Sequence, residues 1–372
     1  MHPHSLTRWF YVALVFTLAL VSHPSTAVPP RAWTVMVYTA TANNLESYAF
    51  RDLAKLTASA PAQRPVAATM LIATEHYGDW SIAVEGDSRA KDGVVMTRIA
   101  PPAMADRATL AAFIRDSAAR FPAKHYALIL QSHGSGWFQT MAPEKTVAVG
   151  QIAASIGDAG VPIEILGFDM CLMATIETAY ELRDRARYVL ASEDYGPWEG
   201  VIGPELLATF SAGPDPLAIL RGLSASFIAR NDQAAADDPA DISILDLSAV
   251  KPLTAFLQTH LPQGPLDASY FSVTNAVDQT TEPPWWQAQD LTEVVRRLLS
   301  DQPAALDEFQ ALFDRVVVGY WQDIKKRSTD YAPRHHGLSI VVNGDQDAAD
   351  TQHHYRELSF PIRLVTTPEH AP

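Results

Sequence analysis

Two residues in this chain are suited to covalent chemistry together: its single cysteine, Cys171, and His133, 38 positions earlier. A thiol attacks a carbonyl carbon once an imidazole has taken its proton, and the same imidazole can return that proton to a leaving amine. Each residue follows an apolar run. His125 to Leu130 leads into Gln131-Ser132-His133-Gly134-Ser135-Gly136, and Ile163 to Phe168 leads into Asp169-Met170-Cys171. Gly134 and Gly136 leave room for a substrate carbonyl to approach the backbone. The amides of Gly134 and Cys171 are candidate oxyanion donors, each worth about 3 kcal/mol in acyl transfer. The plainer reading of each residue alone is a small buried filler and a structural histidine. Their joint placement after two buried strands favours chemistry.

The elements that must position them alternate between β-rich runs and helical patterns, which implies an α/β fold with a mostly parallel sheet. Strands are expected at Trp33 to Thr39, Val66 to Ala73, His125 to Leu130, Ile163 to Phe168, Tyr188 to Ala191, Ile242 to Leu247 and Leu338 to Val342. Helices are expected at Leu45 to Leu56, with Asn43 or Asn44 as cap, and at Thr109 to Phe121, Met173 to Arg187, Pro216 to Asn231 and Ala304 to Arg327. The Gly-punctuated stretch Tyr77 to Ile99 reads as a hairpin, and Trp137 to Gly160 as a looser connection. In an open sheet of this kind ligands bind outside the C-terminal strand ends. His133 and Cys171 would meet there if their strands are neighbours. A helix beginning at Met173 would also lend Cys171 thiolate character through its positive end.

Composition sets the outer limits. A 48% hydrophobic, 19% charged chain of 372 residues is globular, and a net charge of −14 disfavours nucleic acid and anionic lipid as partners. Arg8, the apolar run Trp9 to Val21 and Ser25-Thr26-Ala27 form a secretory signal peptide over residues 1–27, so the expected location is secreted or periplasmic. One unpaired cysteine in an exported chain excludes an internal disulfide. Residues 28–203 are expected to form the catalytic core, and 204–372 to complete the fold or to form a subdomain.

Trp33-Thr-Val-Met-Val-Tyr38, Asn43-Asn-Leu-Glu46, Ser132-His-Gly-Ser-Gly-Trp137 and Gly167-Phe-Asp-Met-Cys-Leu-Met173 together resemble the clostripain family of cysteine peptidases. Fainter likeness continues at Ile244-Leu-Asp-Leu247, Asp290-Leu291 and Gly337-Leu-Ser-Ile340. The resemblance implies a caspase-like α/β/α sandwich and hydrolysis of peptide or protein substrates after Arg or Lys, with a dyad of His133 and Cys171. It also implies an acidic pocket for the basic side chain, with Asp169 as one acid and Asp194 or Glu199 as a second. Asp169 reads equally as a helix cap, and Asp194 and Glu199 as solvated loop acids. Self-cleavage between the dyad residues is implied too, and Lys145 is the one basic residue there. No cofactor is expected for the chemistry. Calcium is carried as an activator, although Ala42 replaces the Asp of the family pattern. The pairs His335-His336 and His353-His354 lack metal-ligand spacing, and Trp285-Trp286 reads as loop packing or as a partner platform. Rival functions are a catalytically silent binding protein of the same fold and a peptidase with altered P1 preference.

Overall fold

The structure is a computed structural model and describes residues 31–58, 66–84, 93–136, 138–142, 145–194, 196–197, 199–233, 240–264, 286–323, 335–344, 357–362 and 364. In chain order the elements are β1 (Arg31–Ala40), α1 (Glu46–Ala58), β2 (Val66–Ala73), β3 (Asp79–Val84), β4 (Val94–Ile99), α2 (Arg107–Arg120), β5 (Ala123–Gln131), β6 (His133–Gly134), β7 (Phe138–Ala142) and β8 (Lys145–Ala148). They continue as α3 (Val149–Ala159), β9 (Ile163–Asp169), α4 (Ile176–Leu182), β10 (Ala186–Ala191), α5 (Leu206–Ser211), α6 (Pro216–Gln233) and β11 (Asp241–Asp246). The last are α7 (Val250–His260), β12 (Trp286–Asp290), α8 (Leu291–Leu298), α9 (Pro303–Val316), β13 (Val317–Gln322) and β14 (Ser339–Gly344).

Nine strands form one sheet in the order β13-β11-β10-β9-β5-β1-β2-β3-β4. The central run from β10 to β2 is parallel. The hairpin β3-β4 closes one side, and β11 and β13 close the other, with antiparallel pairing. Strand β1 shows why helices cover both faces. Its side chains are buried in alternation, Met36 and Tyr38 in one core and Trp33, Val35 and Val37 in the other. The first core takes Leu110 of α2, Ile152 of α3, Ile176 of α4, Leu253 of α7, Val294 of α8 and Phe309 of α9. Leu53 of α1, Leu206 of α5 and Leu220 of α6 pack into the second.

The strands expected from the apolar runs form, as does the hairpin at β3-β4. Three expectations fail. The stretch read as a loose connection contains β7 and β8, which join β6 in a three-stranded sheet, and α3, whose buried Ile152, Ser155, Ile156 and Ala159 line one face. The helix expected from Ala304 stops at Val316, where Val-Val-Gly-Tyr-Trp-Gln pairs with β11 as a sheet strand, so tertiary pairing overrides helical continuation. The helix expected from Met173 to Arg187 shrinks to α4, because Leu172 takes a left-handed φ of 65° and Thr175 caps at a later point. Trp286 opens β12. Trp285, His353, His354 and the leader over residues 1–27 lie outside the described residues.

Candidate active site

Strands β5 and β9 are neighbours, and their register pairs Gln131 with Asp169. His133 and Cys171 therefore each stand two residues beyond a matched pair at the C-terminal edge of the sheet. Both line a cavity of about 530 Å³ together with Tyr48, Gly134, Asp169 and Gly196. The chain enters β2 on one side of β1 and β5 on the other, so the cavity opens at the point where strand order reverses.

The His133 loop is held at several points. Ser132 Oγ donates to the Ala40 carbonyl at 2.8 Å, and Thr178 Oγ1 donates to the Gly136 carbonyl at 2.6 Å. Gly134 lets the two cavity loops meet: a Cβ there would lie 2.5 Å from the Cys171 carbonyl oxygen and 2.8 Å from Met170 Cβ. The His133 Nε2 atom is 2.7 Å from Asn44 Oδ1. Burial holds this imidazole below its ordinary pKa, which keeps it neutral at pH 7.

Cys171 lies in the turn between β9 and α4, before the Thr175 cap whose hydroxyl accepts from the Thr178 amide. The expected help from a helix start is absent, because dipole stabilisation fades within the first turn of a helix. Burial instead pushes the thiol up to about 11, with the charges of Asp194, Asp169 and Asp241 adding to it and the Gly196 amide, 3.4 Å from Sγ, opposing. The turn is pinned by Leu172 N–H to the Asp194 carbonyl at 3.0 Å and Ala174 N–H to the Ser192 carbonyl at 2.9 Å. Ser339 N–H of β14 donates to the Ala174 carbonyl at 2.9 Å from the opposite end of the sequence. A thiol and a neutral imidazole in this setting suit general-base activation rather than a standing ion pair.

Of the three acids, only Asp169 lines the cavity. Deep in the molecule yet open to the cavity, it accepts from Val201 N–H at 2.8 Å and from Gln131 Nε2 at 3.0 Å. Burial, then the neighbouring Asp52 charge, raises it to about 6. Gly200 has φ +60° and would place a Cβ 2.6 Å from Asp169 Oδ1, so glycine keeps this carboxylate accessible. Asp194 is buried and turned to His335, 3.8 Å from its Nδ1. Glu199 pairs with Arg51 and Lys55 of α1, each at 3.1 Å. Lys145 opens β8, at the turn of the β7-β8 hairpin. His336 is 3.0 Å from Asp290, and with Glu293 they bring three ligand-type atoms together. That group is already engaged: Asp290 caps α8, and Arg296 lies 3.4 Å from His336 Nε2.

The sequence reading missed Asp52, Gln131, Leu172 and the second role of Asn44. Asn44 stood in a motif that offered a helix cap and a family likeness but no contact with His133; Asn43 does the local work, accepting from Leu45 N–H at 2.9 Å. Asp52 and Leu172 carried no local signal.

No curated protein sequence gives a significant match. A secreted C11 cysteine protease from Bacteroides thetaiotaomicron, solved with an irreversible peptide inhibitor, is 18% identical with a TM-score of 0.72, covering 88% of this chain and 97% of that one. An inactive zymogen C11 protease from Parabacteroides distasonis is 19% identical with a TM-score of 0.70, covering 89% and 97%. These likenesses establish the caspase-like α/β/α fold. The profile of the clostripain family matches residues 37–263, more than half of the chain and a span that includes both cavity loops. With that match added to a thiol and an imidazole at paired strand ends, the chain belongs to the clostripain family of cysteine peptidases.

Proposed function

We propose that the protein is an exported endopeptidase that cleaves after Arg or Lys, with Cys171 as nucleophile and His133 as proton carrier. The observation that carries this reading is the convergence of His133, Cys171 and the carboxylate of Asp169 on one cavity at matched strand ends. A P1 guanidinium or ammonium would enter towards Asp169, where pairing in a desolvated site gives both affinity and orientation. His133 takes the thiol proton as Sγ attacks the scissile carbonyl carbon, and the Gly134 and Cys171 amides are the donors for the resulting oxyanion. The C–N bond then breaks as His133 returns the proton to the leaving amine. Water, deprotonated by His133, cleaves the thioester and restores the thiol.

The leader over residues 1–27 supports export, in keeping with a structural relative described as secreted. Cleavage after Lys145 is the proposed activation step. Its placement at a hairpin turn that leads directly back to β6 and His133 favours a cut that would loosen the cavity wall.

The test is turnover of matched fluorogenic peptides ending in Arg, Lys, Leu or Asp by the mature protein under reducing conditions with calcium, beside Cys171→Ala and Lys145→Ala. Selective Arg/Lys cleavage lost in Cys171→Ala is expected, with delayed onset in Lys145→Ala. Preference for Leu or Asp would overturn the role of Asp169, and full activity of Lys145→Ala with its chain intact would overturn self-activation.

A further inference from the structure

His133 has two ring nitrogens, and one of them is taken. Its Nε2 atom lies 2.7 Å from Oδ1 of Asn44, across 89 residues of sequence. A carbonyl oxygen only accepts, so this bond requires the hydrogen of the neutral ring to sit on Nε2 and leaves the lone pair on Nδ1. That lone pair is what a general base needs for the Cys171 proton. Among the described residues, His133 is the one hydrogen-bond partner of the Asn44 side chain. The backbone turn into α1 is made by Asn43, whose side chain accepts from Leu45 N–H and whose carbonyl accepts from Glu46 N–H at 3.2 Å. Asn44 is exposed at the cavity mouth, beside the lining residues Leu45 and Tyr48, so bound substrate would cover the contact and strengthen it.

We propose that Asn44 is a positioning residue for the reaction, fixing both the tautomer and the ring orientation of His133 so that Nδ1 serves as the base towards Cys171. The inference rests on the His133–Cys171 reading above. Among the described residues the other titratable groups lining the cavity are Tyr48, Asp169 and Cys171, and burial alone accounts for the shift of His133. The tautomer is therefore set by the hydrogen bond rather than by a neighbouring charge.

The experiment compares Asn44→Ala and Asn44→Asp with the parent on a basic-P1 substrate, with His133→Ala and Cys171→Ala alongside. Rates are divided by the thiol titrated with an irreversible peptide inhibitor, so that unfolded protein does not count. Asn44→Ala is expected to lower kcat on the order of 10- to 100-fold, the scale of a misoriented catalytic group, with KM within about two-fold. Asn44→Asp keeps an acceptor at the same place and adds a charge that favours the imidazolium. It should recover most of kcat at high pH while moving the acid limb of kcat upward by about one unit. At saturating substrate Asp169 is paired with the P1 cation, so that limb reports His133. An Asn44→Ala kcat within two-fold of the parent, or an unmoved limb in Asn44→Asp, would overturn the inference while the dyad stands. Activity surviving in His133→Ala or Cys171→Ala would instead overturn the dyad itself.

Discussion

Gln131 Nε2 lies 3.0 Å from Asp169 and 2.6 Å from Asp52, so one amide joins two carboxylates that repel one another in a buried site. Lys55 answers part of that repulsion with a 3.0 Å contact to Asp52. Burial and the Asp52 charge hold Asp169 at about 6, above the ordinary carboxyl range, which has a direct consequence for binding. Below that value Asp169 carries a proton and cannot pair with a cationic P1 side chain. The kcat/KM for Arg substrates should therefore fall as pH drops through about 6. Asp52→Asn removes the like charge and should shift this limb to lower pH, whereas Lys55→Met removes the compensating cation and should shift it higher. A limb that stays in place in both variants would show that Asp169 is not the titrating group.

Among elements, the segment 192–194 supports the Cys171 turn and is itself supported from behind. Asp241 accepts the amides of Glu193 and Asp194 at 2.8 and 3.1 Å. Glu193, fully buried, accepts from Gly337 N–H at 2.7 Å and Ser339 Oγ at 2.9 Å, joining this segment to the entry of β14. Burial first, then the charges of Asp290 and Asp241, raises Glu193 well above its ordinary value. A carboxyl with a raised folded-state pKa is held most favourably when protonated, so its cost to stability grows as pH rises above the unfolded value. Glu193→Gln, which fixes the neutral form, should unfold at a higher temperature than the parent at pH 8. That advantage should shrink as pH falls towards the ordinary carboxyl range. A difference in Tm that is the same at pH 8 and pH 5 would contradict the assignment.

For the whole molecule, the chain after residue 203 is built into the same sheet and cores as the part before it. Strands β11 and β13 extend the sheet beyond β10, and Leu358, Phe360, Ile362 and Leu364 are buried in the core that also holds Met36 and Leu128. Burying each of these four side chains contributes about 2 kcal/mol, and their sum is comparable with the total stability of a domain. Ending the chain at Gly344 should therefore give protein that is insoluble or melts far below the parent. The check is soluble yield and thermal unfolding; an unchanged Tm would mean that the tail is not part of the core.

The parallel core of the sheet, the two strand ends and the Cys171–His133 candidates were legible in the sequence. A buried strand is a short-range pattern of apolar residues, and the glycines beside His133 and the acid beside Cys171 stand within a few positions of the reactive groups. What remained hidden depends on contacts between distant segments. The left-handed Leu172 and the late start of α4 follow from hydrogen bonds to Ser192, Asp194 and Ser339, and no local propensity predicts them. The late start of α4 removes the helix-start activation that the sequence suggested, and burial raises the thiol besides. The neutralisation of Glu199 by α1, the pairing of Asp52 with Gln131 and the bond between Asn44 and His133 each join separate elements of the fold. The sequence alone determined which groups can react and at which strand ends they stand. The tertiary structure decided which acid faces the cavity, which protonation states burial favours and which nitrogen of His133 meets Asn44, because those properties depend on distances that only the packed chain sets.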